Sequence, residues 1–594
     1  MRFSIIYELQ HPQPWEPGGE QQLIAEALDQ IELADRLGFD GVWAVEHHFL
    51  EEFAHSSAPG VILAAASQRT RTLRLGFGVL PLPPGYQHPA RVAETAATLD
   101  LLSGGRVELG TGETSSGAEL AGFGVDRRSA RAQWREALDV VARMMVETPF
   151  AGVDGEHITM PPRNVVPKPA QTPHPPLWVA CSRREQIRMA AENGLGALCF
   201  AFLEPEEATS WVDEYYSIIA SERCVAAGFA INPNFAVALP MMVHGEEAEA
   251  IERGIDGAHF HAYAFGHYYV FGRHAPGRTS IWDEFQARRA DVGFARSVIT
   301  ADDAPLSVKV LQKGLGSLRG AIGTPAQLRE LIGRYEAAGV DELLFTVQAG
   351  RTRHEHIMEA LKLFAAEVMP EFAPRRAARA EAKAARLGDA PRRAVERRAP
   401  SRTVDDGFTF GPDDSGSGEQ ETAAPALVRR RDAAPARVPA RIALSRRTRA
   451  LRRDLEARGE RAFQAFVGRS GDARLERTIG STPGLKAIFA GMERRFVPER
   501  AGGFTGDIQY NLRASDGSER SWTVTIAEGV ARARPGVSEG EAQLTITLPV
   551  ADFVRIAGRD LDPVKAVLTG RLQLGGDFGV AMKLGEMFGQ APVL

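Results

Sequence analysis

Up to about residue 370, short apolar runs alternate with stretches in which apolar residues recur every three or four positions. That alternation is expected of βα units around a parallel sheet. The runs are Phe3 to Tyr7, Gly41 to Val45, Leu73 to Val79, Arg106 to Leu109, Leu177 to Ala180, Ala197 to Phe200, Phe235 to Val243 and Glu342 to Val347. The first helix shows the logic: Leu23, Ala27, Ile31, Ala34 and Leu37 make one stripe, and Gly38 follows as a C-terminal stop. Eight strands over this length favour an α/β fold of the (β/α)8 TIM-barrel type over an open doubly wound sheet, although periodicity alone does not separate the two. The stretch from Gly245 to Ser317 is too long for one connection and predicts an insertion of extra helices over the barrel mouth.

The pattern then changes twice. Between residues 373 and 440 the composition collapses into Ala, Arg, Pro, Gly and Asp, with Phe408 and Phe410 as the only aromatics. Such a segment buries too little apolar surface to offset its ordering entropy, so a disordered linker is expected, separating a domain at 1–372 from one at 441–594. Its charge is segregated, ten basic against three acidic residues from Arg375 to Arg402, then six acids from Asp405 to Glu421. A solvated tether or a docking arm both fit that pattern. Beyond it, a helix carries Leu451, Leu455, Ala462, Phe463 and Phe466. Period-two strands follow with Ile508, Tyr510 and Leu512, then Trp522, Val524 and Ile526, then Leu544, Ile546 and Leu548, the mark of a small α+β domain.

Composition narrows the partners. A net charge of -6 gives no global attraction to nucleic acid or anionic lipid. Cys181, Cys199 and Cys224 show no metal-ligand spacing, which fits a reducing cytoplasm better than a disulfide-built secreted protein. The first residues read as a strand rather than a signal peptide, and no apolar run approaches the roughly 20 residues that span a bilayer, so no transmembrane segment is expected.

The chemistry concentrates at Glu46-His47-His48, where the second apolar run gives way to a loop. Two imidazoles and a carboxylate at the C-terminal end of an early barrel strand sit where that fold keeps its active site. A packed or surface His pair is the bland alternative. No metal is expected, because neither H-E-x-x-H nor a third ligand at helical spacing is present.

The region from 1 to 370 resembles the bacterial luciferase-like monooxygenases. The likeness runs through Leu37-Gly38-Phe39-Asp40-Gly41-Val42-Trp43, Glu46-His47-His48-Phe49, Leu73-Arg74-Leu75-Gly76, His88-Pro89 with Arg91-Val92-Ala93-Glu94, and Leu99 to Arg106. It closes with Leu361-Lys362-Leu363-Phe364 and Val368-Met369-Pro370. The last region looks like a sterol-carrier-protein (SCP2-type) domain, on Gly570 to Gly576 and Ala581-Met582-Lys583-Leu584. Packing a small core explains its apolar faces as well as a lipid tunnel does.

The resemblance implies a TIM barrel holding reduced FMN from a flavin reductase and a monooxygenase acting with O2 on a hydrophobic aldehyde, ketone or lipid-like substrate. It makes His47 the acid/base, with Glu46 and His48 orienting ring and flavin. A histidine suits the task because its unperturbed pKa lies near working pH. For the flavin the resemblance points to Gly78 and Val79, joined by a non-proline cis peptide under the ring, and to Gly112, Glu113, Ala180, Cys181, Ser182, Arg183 and Arg184 near the phosphate. Ser182-x-x-Glu185 is also a capping box, and such boxes mostly just start helices. Glu113 stands where many relatives carry an arginine, so Arg183 or Arg184 is expected to compensate. Gly112, at the position of the reactive cysteine of true luciferases, argues against light emission. Gly76-x-Gly78 is no dinucleotide fingerprint. Two other readings remain open: hydride transfer with a deazaflavin, and a non-catalytic flavin or lipid carrier. Barrels of this type commonly form a homodimer through their second and third helices.

Overall fold

In the computed structural model the eight apolar runs form a closed parallel ring: β1 (Arg2–Tyr7), β2 (Gly41–Ala44), β3 (Arg74–Pro81), β4 (Val107–Gly112), β5 (Leu177–Cys181), β6 (Gly196–Cys199), β7 (Phe235–Val243) and β8 (Glu342–Thr346). β8 returns to β1 with Arg2 opposite Glu342, and β6 pairs with β7 with Ala197 opposite Phe235. A short strand, Ala321–Gly323, pairs in parallel with the far end of β7. The structure describes residues 1–289 except 114, 115, 201 and 202, then 308–310, 316–318, 320–404, 407–411, 463, 466–501, 504–527, 529–540, 542–558, 560, 561, 566, 571–576, 584, 587 and 588.

Two tryptophans fill the barrel interior. Trp43 and Trp178 meet edge to face at 5.4 Å, packed against Ile6, Leu198, Ala236 and Leu344. Trp43 fits only because β3 carries glycine at 76, where a Cβ would lie 2.2 Å from the indole. Both indoles are anchored at the N-terminal end of the barrel, Trp178 donating to Glu108 at 2.7 Å and Trp43 to Glu342 at 3.3 Å. β4 runs on to Gly112, beyond the Leu109 that the apolar pattern predicts, so Gly110 to Gly112 belong to the strand. At Gly110 a Cβ would lie 2.1 Å from the Phe77 carbonyl oxygen, so the glycine that weakens strand propensity also permits the pairing. The expected insertion is present as a helix, Glu247–Gly266, continuing into a π-helical turn, His267–Phe271, and a helix, Ile281–Arg288.

The expected linker is corrected over its first third. Residues 376–398 carry two helices, Arg376–Leu387 and Ala390–Glu396, packed on the barrel with Leu387, Ala390 and Ala394 buried. Their basic residues are spent on acids and carbonyls around the N-terminal ends of the strands. Arg376 grips Asp40 at 2.7 and 2.8 Å, Arg379 donates to the Glu336 and Val340 carbonyls, and Lys383 reaches Asp341 and Asn234. Arg398 donates to Asp139 at 2.5 Å and lies over the Phe229 ring. Composition predicts disorder because it counts apolar residues and omits these charge-assisted partners. Replacing Arg376 and Lys383 together by alanine is expected to cost about 1–2 kcal/mol of barrel stability, read as a lowered thermal midpoint; an unchanged midpoint would show the strap to be ornamental.

The second compact unit begins after Phe408. Its five-stranded sheet pairs Gly506–Arg513 with Glu519–Ala527 and Leu544–Pro549, flanked by Val530–Pro535 and Gln573–Gly576. The period-two residues Ile508, Leu512, Val524, Ile526, Leu544 and Leu548 are buried as the pattern predicts. Phe489, from the helix Thr482–Arg495, stacks on Trp522 at 4.5 Å and on Phe553 at 5.1 Å. Leu451, Leu455, Ala462 and most of the closing Gly570 to Leu584 run lie outside the described residues. Among the described residues no helix is long and apolar enough to cross a membrane.

Candidate active site

β2 ends at Ala44, and the next residues turn outward at the C-terminal mouth of the barrel. The turn is pinned: the Ser56 hydroxyl donates to the Val45 carbonyl at 2.6 Å, and the His47 amide donates to the Ser56 carbonyl at 3.0 Å. Two further elements bring carboxylates to His47, and a third brings an imidazole to one of those carboxylates. Glu8 follows β1, Glu119 lies on the short helix Gly117–Gly122, and His261 comes from the insertion helix. His47 Nδ1 is 3.2 Å from Glu119 Oε1, and its Nε2 is 3.8 Å from Glu8 Oε2. The other Glu8 oxygen is 3.7 Å from His261 Nε2. His48 turns to Glu46, Nε2 to Oε1 at 3.1 Å, and packs edge-on against Phe123.

The pairing sets the tautomer. Glu119 Oε1 also accepts the His48 amide at 3.1 Å, so the wholly buried carboxylate acts as acceptor and Nδ1 of His47 donates. Nε2 is thereby directed at Glu8 and the cleft. Burial alone would lower the His47 pKa, but the hydrogen bond and charge of Glu119, reinforced by Glu8 and Glu46, raise it above the ordinary histidine value. The imidazole is therefore poised as a proton donor as well as an acceptor. Tyr269, on the π-helical turn, faces His47 ring to ring at 6.5 Å, its phenol kept protonated by burial and by Glu119 and Glu8.

Glu8, Glu46, His47, His261 and Tyr269 line one cleft open to solvent. Val79, Trp134, Val179, Phe200 and Leu239 give it apolar walls. Of the residues singled out from the sequence, Glu46, His47, Gly78, Val79, Gly112, Glu113, Ala180 and Ser182 line it. The Gly78–Val79 peptide is cis. A side chain at Gly112 would begin 2.8 Å from Val79 Cγ2, so glycine there preserves this wall. His48 stands behind Glu46, outside the lining.

Three expected residues lie outside the lining. Cys181 is buried in β5, its thiol directed to the Val179 carbonyl and pushed well up in pKa by burial. Arg183 and Arg184 are also absent from the lining: Arg183 caps the helix Arg184–Glu192 with its backbone, and Arg184 pairs with Glu214 at 2.6 Å, so neither compensates Glu113. The capping box is not formed either, since the Ser182 amide donates to the Gln186 side chain at 2.7 Å. The group that does meet Glu113 is Arg131, from the helix Arg127–Val146, by two hydrogen bonds of 3.1 Å. Among the described residues no group of three or more His, Cys, Asp or Glu side chains is placed to hold a metal ion.

Residues 1–342, more than half of the chain, match the family of luciferase-like monooxygenases. The chain belongs to that family. Residues 490–589 match the SCP-2 sterol transfer family. The chain is 29% identical over 199 residues to the oxygenase component of a flavin-dependent trigonelline monooxygenase from Acinetobacter baylyi, covering 33% of this chain and 52% of that one. It is 26% identical over 375 residues to the alkanal monooxygenase alpha chain of Photobacterium leiognathi, covering 60% of this chain and 96% of that one. It spans less than two thirds of the length of the first curated relatives it matches. Among solved structures it is similar to the monooxygenase RslO1 from Streptomyces bottropensis, at 25% identity and a TM-score of 0.49, over 63% of this chain and 100% of that one.

Within the luciferase-like barrel, sequence reasoning missed Glu8, Glu119, Arg131, His261 and Tyr269. Glu8 had a signal, as a carboxylate directly after β1, at the same end of the barrel as Glu46 just after β2. The other four lie on connections where nothing in local spacing marks them.

Proposed function

We propose that the barrel is a flavin-dependent monooxygenase that takes reduced FMN from a separate reductase and transfers one oxygen atom of O2 to a hydrophobic aldehyde, ketone or lipid-like substrate. The observation that carries this is His47, held between Glu119 and Glu8 at the mouth of an apolar cleft. The cleft fits a flavin on two counts: it has apolar walls, and Glu8 in its lining keeps a buried carboxylate oxygen, Oε2, with no hydrogen-bond partner among the described residues. When bound, the reduced flavin supplies the two electrons that activate dioxygen. The chain's own part is to exclude water with Val79, Trp134, Leu239 and Tyr269, and to hold a proton on His47 Nε2 for transfer.

The name of the A. baylyi relative, an oxygenase component, supports a separate reductase. The SCP-2 match supports an apolar ligand on the second unit, presented as substrate to the barrel. Exposed Val61, Leu101 and Leu102 on the second and third barrel helices support a homodimer through that face.

The experiment is oxygen uptake by the protein with photoreduced FMN, with hydrogen peroxide measured in parallel, against a long-chain aldehyde and a cyclic ketone. Coupled uptake with little peroxide in the presence of one of them is the expected result. Release of all oxygen as peroxide, at the rate of protein-free flavin, would sink the reading.

A further inference from the structure

The rim of the cleft near the ends of β4 and β5 carries a cation that is already spent. Arg131 is the only arginine or lysine lining the cleft among the described residues. It therefore marks where the anionic tail of a flavin would be drawn. Yet Glu113 takes its Nε and Nη2 with two hydrogen bonds of 3.1 Å, and Glu185 takes its Nη1 at 3.0 Å. The three side chains together carry one net negative charge. The two nearby arginines bring no relief: Arg184 pairs with Glu214, and Arg183 does not line the cleft. The Ser182 amide, also part of the lining, is already given to Gln186.

A phosphomonoester near pH 7 carries about 1.5 to 2 negative charges and binds best to an arginine free to offer both prongs of its fork. Here the fork faces Glu113. Resting on the flavin reading above, we propose that Glu113 is a determinant of flavin affinity: by occupying Arg131 it removes most of the phosphate's contribution to binding.

The test is titration of full-length protein with oxidised FMN and with riboflavin, followed by quenching of flavin fluorescence, for wild type, Glu113→Gln and Arg131→Ala. In the wild type the two flavins are expected to bind within about threefold of each other. Glu113→Gln is expected to tighten FMN about tenfold, in a salt-sensitive way, and to leave riboflavin unchanged. Arg131→Ala is expected to change FMN affinity by less than about threefold, because the arginine it removes is already engaged. Constant riboflavin affinity shows that the variants keep a folded cleft. Wild-type protein binding FMN more than about tenfold tighter than riboflavin, with Glu113→Gln causing no gain, would overturn this role of Glu113 and leave the flavin reading intact. Absence of quenching by either flavin in every variant would overturn both.

Discussion

His47→Ala is expected to lower product formation with reduced FMN about a hundredfold while leaving riboflavin binding unchanged. Positioned acid/base groups contribute factors of this order. Among the described residues the imidazole is the one group at the mouth with a fixed tautomer, a raised proton affinity and a nitrogen directed at the cleft. His261 is not placed to substitute for it, since it reaches only the far oxygen of Glu8. Steady-state turnover with a saturating substrate is the measurement; equal turnover in wild type and variant would favour a carrier that binds flavin without using it.

Glu119→Gln tests the support behind that histidine. The amide keeps an acceptor for the His47 and His48 donors but loses the charge. Burial, which depresses the His47 pKa, is then opposed only by Glu8 and Glu46, so the pKa falls. If protonated His47 is the working form, activity is lost as pH rises through that pKa. The high-pH limb should therefore move to lower pH in the variant, with kcat reduced about tenfold at neutral pH. The groups facing His47 are Glu8, Glu46, Glu119 and Tyr269. A limb that stays in place would assign the titration to another of them. Glu119→Ala goes further, leaving two donors without their acceptor at a fully buried site, and should cost about 2–4 kcal/mol in thermal or denaturant unfolding.

Much of this site was legible beforehand. Glu46-His47 follows an apolar run and stands at a strand end, and Gly78, Val79, Gly112 and Ala180 fall on strands whose alternation shows them. Cys181 and Arg184 fall outside the cleft lining for a reason of phase. β5 runs through Cys181 and the helix begins only at Arg184, so the thiol is tucked into the sheet and the guanidinium projects along the outer helix face towards Glu214. A shift of one residue at a strand-to-helix junction reverses which side chain faces the cleft. The strap at residues 376–398 was missed because its stability comes from partners more than 30 residues away in the chain, Asp40 and Asp341 among them.

Local pattern alone determined the number and order of strands, the place of the insertion, the small second domain and the strand end that carries His47. These follow from periodicity, which depends on near neighbours in the chain. Only the closed ring decided that Glu8, Glu119 and His261 gather round one imidazole and that Arg131 meets Glu113, because each arrives on a different connection. Barrel closure converts separation in sequence into a few ångströms at the mouth, and hydrophobic periodicity carries no record of which polar side chains will face one another there.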